Sequence, residues 1–258
     1  MIQNEIRYFF SALMFYTRIP CPKWIDHSAT DLNKATRYFP LIGWIVGGLS
    51  ALAFIGFNYL FNPDIAIVLS MVTSIFITGA FHEDGFADVC DGFGGGWTKE
   101  KILSIMKDSR SGAYGVVGVC CILVLKFLSL QAIYEYSPMQ FPYTLIAAHA
   151  ASRLCAVLLM PISNYVRENE DAKAKPLAKK ITVIEVLPAI FFGILPLFLF
   201  NIPTIFSVLI FPLAGMLYLR WYFHKWIGGY TGDCLGTVQQ VAELLFYLSV
   251  IILWKFIW

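Results

Sequence analysis

Residues 82 to 92 read HEDGFADVCDG, with carboxylates at Glu83, Asp84, Asp88 and Asp91 directly after the apolar run Ile65 to Phe81. If the segment is helical, Asp84, Asp88 and Asp91 stand at i, i+4 and i+7 and share an arc of about 60°, while Glu83 points about 100° away from Asp84. Carboxylates about 6 Å apart at an effective dielectric of 20 repel by roughly 2 to 3 kcal/mol per pair. Such a stripe calls for a cation, and the hard divalent ions that oxygen donors favour are Mg²⁺ and Mn²⁺. The plain alternative is a solvated acidic patch. Against it stand Gly85, Gly92, Gly94, Gly95 and Gly96, which let a bulky ligand approach the backbone closely.

Two further polar segments extend the chemistry. In KDSRSGAYG, residues 107 to 115, Asp108 can add a metal ligand, and Lys107 and Arg110 can clamp phosphate oxygens. The same run also reads as a helix start capped by Ser109 or Ser111. Acids for a metal beside bases for phosphates suggest metal-assisted transfer of a phosphorus group. In GGYTGDCLGTVQQVAE, residues 228 to 243, Asp233 sits on a Gly-rich turn, and Gly236, Gln240 and Glu243 form one helical face. Glu243 lies within an apolar stretch, where an ionisable side chain is expensive and faces a cavity or a partner. Arg153 and Glu185 invite the same reading, and mutual pairing is their plain explanation.

The elements that must position these groups are membrane helices. The chain is 58% hydrophobic, 16% aromatic and only 14% charged, with a mean hydropathy of +0.67, outside the range of a soluble domain. Its apolar runs are continuous rather than alternating, which excludes a β-barrel. They predict an all-α polytopic bundle of about seven spans, near 41–61, 64–81, 113–134, 142–160, 183–200, 202–219 and 241–258, forming one membrane-embedded catalytic domain over residues 1–258. Arg7, Arg18, Lys23, Lys34 and Arg37 precede the first span, and Lys99, Lys101, Lys107 and Arg110 lie between the second and third. Arg167, Lys173, Lys175, Lys179 and Lys180 lie between the fourth and fifth. The excess of Lys and Arg in these segments puts them, and the acidic stretch, on the cytoplasmic side. The segment MIQNEIRYFFSALMFY has helical apolar spacing and predicts an interfacial helix. The polar loop 161–182 reads equally as a connector or as a lid. Six cysteines without a Cys-x-x-Cys pair support neither a disulfide framework nor a zinc site. His27, His149 and His224 stand alone; only His82 adjoins other candidate ligands.

DVCDG, Asp88 to Gly92, is similar to the first half of the metal motif of the CDP-alcohol phosphotransferases. Gly95 and Gly96 replace the Ala-Arg that follows there, and the second acidic half is missing. The longer blocks resemble another family, the cobalamin synthases or adenosylcobinamide-GDP ribazoletransferases. They are YTRIP at 16–20, RYFPLIG at 37–43, HEDGFADVCDG at 82–92, IMKDSRSGAYG at 105–115, ASR at 151–153 and TGDCLG at 231–236. The resemblance implies a Mg²⁺-dependent transferase of the inner membrane. Its substrates would be adenosylcobinamide-GDP and α-ribazole or its phosphate, with release of GMP. Carried onto this sequence, it implies Asp84, Asp88 and Asp91 as metal ligands, and Asp108 as a further ligand or as the base. Arg18, His82, Lys107, Arg110, Arg153, Asp233 and Glu243 would line the substrate site. The lipid bilayer is the expected partner and nucleic acid is not; self-association stays open. A cation transporter is the rival of a different class, but its acids belong near the bilayer midplane on broken helices of repeated halves.

Overall fold

The computed structural model describes residues 2–25, 29–167, 181–200 and 203–257. Eleven α-helices are present among them: α1 (Ile2–Tyr16), α2 (Ala29–Ala35), α3 (Phe39–Leu60), α4 (Pro63–Thr78), α5 (Phe81–Gly95), α6 (Lys99–Ile105), α7 (Ala113–Tyr136), α8 (Phe141–Leu159), α9 (Val183–Ile194), α10 (Ile210–Ile227) and α11 (Gly232–Ile257). Among the described residues, β-type pairing amounts to one bridge, between Tyr165 and Tyr230. The all-α expectation holds.

Among the described residues, five helical segments are long and apolar enough to cross a membrane: 32–60, 113–136, 141–162, 205–227 and 232–256. A sixth is reached only by taking α4 and α5 together, and these are bent by 88°. The expected span at 183–200 is shorter than a crossing: α9 contains Pro188 and gives way at Leu195 to a 3₁₀ turn opening with Pro196. Proline removes a ladder hydrogen bond and clashes with the preceding turn. The last span begins earlier than the hydropathy suggests, because α11 runs unbroken from the Gly-rich turn through Glu243.

Helix α8 is the centre of the bundle, with 78% of its apolar window buried; α7 and α10, at 28% and 22%, form its exposed apolar flanks. Small residues make this centre possible. On α3, Gly43 and Gly47 lie one turn apart, and a Cβ on Gly47 would fall 2.8 Å from the Ile146 backbone of α8. Close backbone approach is how helices associate in lipid, where burial alone gives little preference for protein over solvent.

The corner between α4 and α5 decides where the acids go. Gly79 and Ala80 both adopt the left-handed conformation, at φ 64° and 56°, and the Ala80 N–H closes back onto the Ile75 carbonyl at 2.9 Å. Two left-handed residues in succession end one helix and redirect the next. For Ala80 that conformation costs roughly 1 to 2 kcal/mol. The expected continuation of the second span into the acidic segment is therefore broken, yet Phe81–Gly95 is itself one helix, so Asp84, Asp88 and Asp91 do share a helical face.

Candidate active site

Helix α5 carries acids on two faces, and the two faces meet different surroundings. Toward α11, Asp84 is exposed and Asp88 is half-buried. Gly85 sets this approach, since a Cβ there would lie 3.0 Å from the Asp233 Cα. The contact brings Asp84 and Asp88 into the electrostatic neighbourhood of Asp233, whose carboxylate accepts a hydrogen bond from Arg167 Nη2 at 2.8 Å. The same Nη2 donates to the Met106 carbonyl at 3.2 Å. Arg167 is the cation that residue spacing missed: it lies 66 positions before Asp233, in a segment of mixed charge, and only the fold brings it to the acids.

Asp91 is turned to a different task. Its two oxygens accept the N–H groups of Gly112 at 2.7 Å and Gly115 at 2.8 Å, at the start of α7. Gly112 is the N-cap and has no side chain with which to satisfy these donors, so a carboxylate from another helix does so, where the helix dipole also favours negative charge. The cap expected from Ser109 or Ser111 is supplied by Asp91. The stripe is thus graded: Asp84 and Asp88 open outward, and Asp91 is committed to backbone.

Asp108 and Arg110 pair with each other in an exposed turn, with Nη2 to Oδ2 at 2.6 Å and Arg110 85% exposed. Hydrogen bonds from the Arg110 side chain and backbone hold the Asp108 carboxyl down at about 2. Lys107 is also exposed. Arg18 lies over the α4–α5 corner: its N–H donates to the Ile77 carbonyl at 2.7 Å, and a Cβ on Gly79 would collide with its guanidinium.

The other face of α5 points into the bundle. Glu83 lies off the arc, as its phase requires, and accepts from Gln240 at 2.9 Å. Gln240 accepts from Lys126 at 2.8 Å, and Lys126 pairs with Glu243 at 3.0 Å. Glu243 also accepts from Gln239 at 2.6 Å and Tyr247 at 3.2 Å. Arg153 donates to the His149 carbonyl at 2.9 Å, and its guanidinium lies over the Phe39 ring, which stacks on His82. His82, Arg153 and Glu243 therefore belong to a buried network behind the acid cluster. Glu185 pairs with Arg37 at 3.2 Å and caps α9, so it is not Arg153's partner. The network balances two acids, Glu83 and Glu243, with two cations, Lys126 and Arg153, as charge inside a membrane protein requires. Glu243 has its counter-ion without a metal.

The donors on the outer face are all carboxylate oxygens, the kind that Mg²⁺ takes. Among the described residues, no three His, Cys, Asp or Glu side chains converge into a ready metal cage.

The cobalamin-5-phosphate synthase family matches residues 8–251. The chain belongs to that family. Among curated relatives, the adenosylcobinamide-GDP ribazoletransferase of Leptospira interrogans is 44% identical over 260 residues, covering 98% of each chain. That of Shewanella pealeana is 44% identical over 252 residues and 97% of each. That of Shewanella piezotolerans is 40% identical over 250 residues, 97% of this chain and 96% of its own. No solved structure matches. This member of the cobalamin-5-phosphate synthases is an integral membrane transferase of cobalamin synthesis, with its acids gathered where α5 meets the start of α11.

Proposed function

We propose that the chain attaches the lower ligand of the corrinoid. The ribose hydroxyl of α-ribazole, or of its phosphate, attacks the phosphorus attached to the side chain of adenosylcobinamide-GDP. An O–P bond forms, the P–O bond to GMP breaks, and adenosylcobalamin or its phosphate results. One observation carries the reading: Gly85 brings α5 close to Asp233, so that Asp84 and Asp88 share its electrostatic neighbourhood, in a chain that matches the family from residue 8 to 251 and aligns nearly end to end with relatives of that name.

Asp84 and Asp88 are the residues that would hold Mg²⁺, beside Asp233, whose carboxylate is paired with Arg167. This ion is commonly bound by one or two carboxylates plus waters and substrate phosphates, so a closed protein cage before substrate arrives is not required. When bound, it supplies neutralising charge for the transferred phosphoryl group and the leaving GMP. The protein's own part is positional. Asp91 ties α5 to the first turn of α7, which keeps Asp88 at a fixed height beside α11. Hydrogen bonds from Arg110 hold the Asp108 carboxyl below the usual carboxylate range, which disfavours it as the acceptor of the ribose proton. Its pairing with Arg110 supports a structural role for the turn. The Lys and Arg carried on either side of α5, Arg18 and Lys99 to Arg110, support a cytoplasm-facing site.

Purified protein in nanodiscs, given adenosylcobinamide-GDP, α-ribazole and Mg²⁺, should form coenzyme product and release GMP. Chelation should stop the reaction and added Mg²⁺ should restore it, with elution volume and helical content unchanged. Absence of a coenzyme product would sink the proposal, and turnover persisting in excess chelator would remove the metal from it.

A further inference from the structure

Arg167 follows a segment without regular secondary structure, so its position must be imposed from elsewhere. A short parallel bridge does this: the Val166 N–H donates to the Tyr230 carbonyl at 3.0 Å, and the Tyr230 N–H donates to the Asn164 carbonyl at 2.8 Å. The Tyr165 and Tyr230 rings meet edge to face at 5.5 Å. Gly229 permits the approach, because a Cβ there would strike the Asn164 carbonyl. The bridge suspends Arg167 over the start of α11, three-quarters buried but still open to solvent.

Its guanidinium is incompletely used. Nη2 serves both Asp233 and the Met106 carbonyl, while Nε is buried and has no hydrogen-bond partner. A buried donor left unmade is costly, and a planar fork of five donors matches two phosphate oxygens. The surroundings make the same demand. Asp84, Asp88 and Asp233 would repel an anion, and Arg167 is the cation that acts on both Asp88 and Asp233. The start of α11 adds the positive end of a long helix.

We propose that Arg167 grips the diphosphate of the nucleotide-linked donor beside Asp84 and Asp88. The inference rests on the transferase reading and adds to it a substrate-binding residue.

The test is GDP binding to the protein in nanodiscs, measured in chelator so that metal and turnover do not enter. Arg167→Ala should weaken binding about 10- to 100-fold, the worth of a charge-assisted hydrogen-bond pair, and Arg167→Lys should recover part of it. Asp233→Asn, which removes one repelling charge and reduces Arg167's ion pair to at most a neutral hydrogen bond, should bind GDP as well as or better than the parent. Lys225→Ala, on a basic residue stacked over Trp221, should stay within about twofold. Equal weakening by Arg167→Ala and Asp233→Asn would mean that the ion pair merely anchors α11, and would overturn the proposal. So would GDP binding by Arg167→Ala within about twofold of the parent, or a parent that binds no GDP. In turnover assays, Arg167→Ala should slow α-ribazole and its phosphate alike. A selective loss of the phosphate would assign Arg167 to the acceptor and overturn the donor assignment. A parent that binds GDP yet forms no product defeats the transferase reading alone, whereas a parent that turns over while Arg167→Ala binds normally defeats this inference alone.

Discussion

Asp88 and Asp91 are three residues apart on one helix, yet their surroundings give them separable roles. Asp88 faces Asp84, Asp233 and Arg167, so Asp88→Asn should reduce turnover by about a thousandfold or more, the loss expected when charge stabilisation of a transition state is removed, with the melting temperature in detergent unchanged. Asp91 holds two N–H groups of α7, so Asp91→Ala should lower stability by about 1 to 2 kcal/mol, read as a drop in melting temperature. An Asp91→Ala protein as stable as the parent would refute the capping role. For Asp108 the prediction concerns pH. Its folded value lies below the usual carboxylate range, so the pairing with Arg110 contributes above that range and is lost only as pH falls through about 2. Asp108→Asn should leave the shape of the pH–rate profile unchanged between about pH 5 and pH 8. A shifted acid limb would return Asp108 to the proton-transfer step.

At the scale of elements, the site is a contact between α5 and α11, and Gly85 is its narrowest point. Gly85→Val would push the helices apart and should cost about 1 to 3 kcal/mol as overpacking, while the catalytic loss should exceed about a hundredfold because misplacement of catalytic groups by about 1 Å is punished steeply. Steady-state kinetics beside thermal melting separates the two effects. Equal, small losses in both would mean that the α5–α11 spacing is not what aligns the acids. The 88° corner at Gly79–Ala80 is the other determining element. It turns the acidic helix away from the direction of α4 and lays α5 along α11, with Asp84 and Asp88 near Asp233 and Glu83, about 100° around the helix, turned inward to Gln240.

Across the whole molecule, the buried network ties α5, α7, α8 and α11 together behind the acids. Lys126→Met leaves Glu243 without its nearest cation and should cost about 3 to 5 kcal/mol. Adding Glu243→Leu should restore much of that loss, since Glu83 and Arg153 remain as a balanced pair. A double variant no more stable than the single one would refute the pairing. This network also explains what was legible beforehand. Continuous apolar runs identified an all-α membrane bundle, because lipid forces each spanning segment to satisfy its own backbone. The phase of Glu83 against Asp84 followed from helical geometry, and the long blocks from Tyr16 to Gly236 carried the family resemblance. Hydropathy overstated the number of spans because it does not register that Pro188 and Pro196 shorten a helix. Tertiary structure alone decided which acids share a cation. Asp91 was taken by the open end of α7, Glu243 by Lys126, and Asp233 by Arg167, from residues 21 to 117 positions away. Periodicity orients side chains around one helix axis. Partners across the bundle are chosen by which backbones can approach, and glycines such as Gly85 and Gly229 set that choice only once their neighbours are in place.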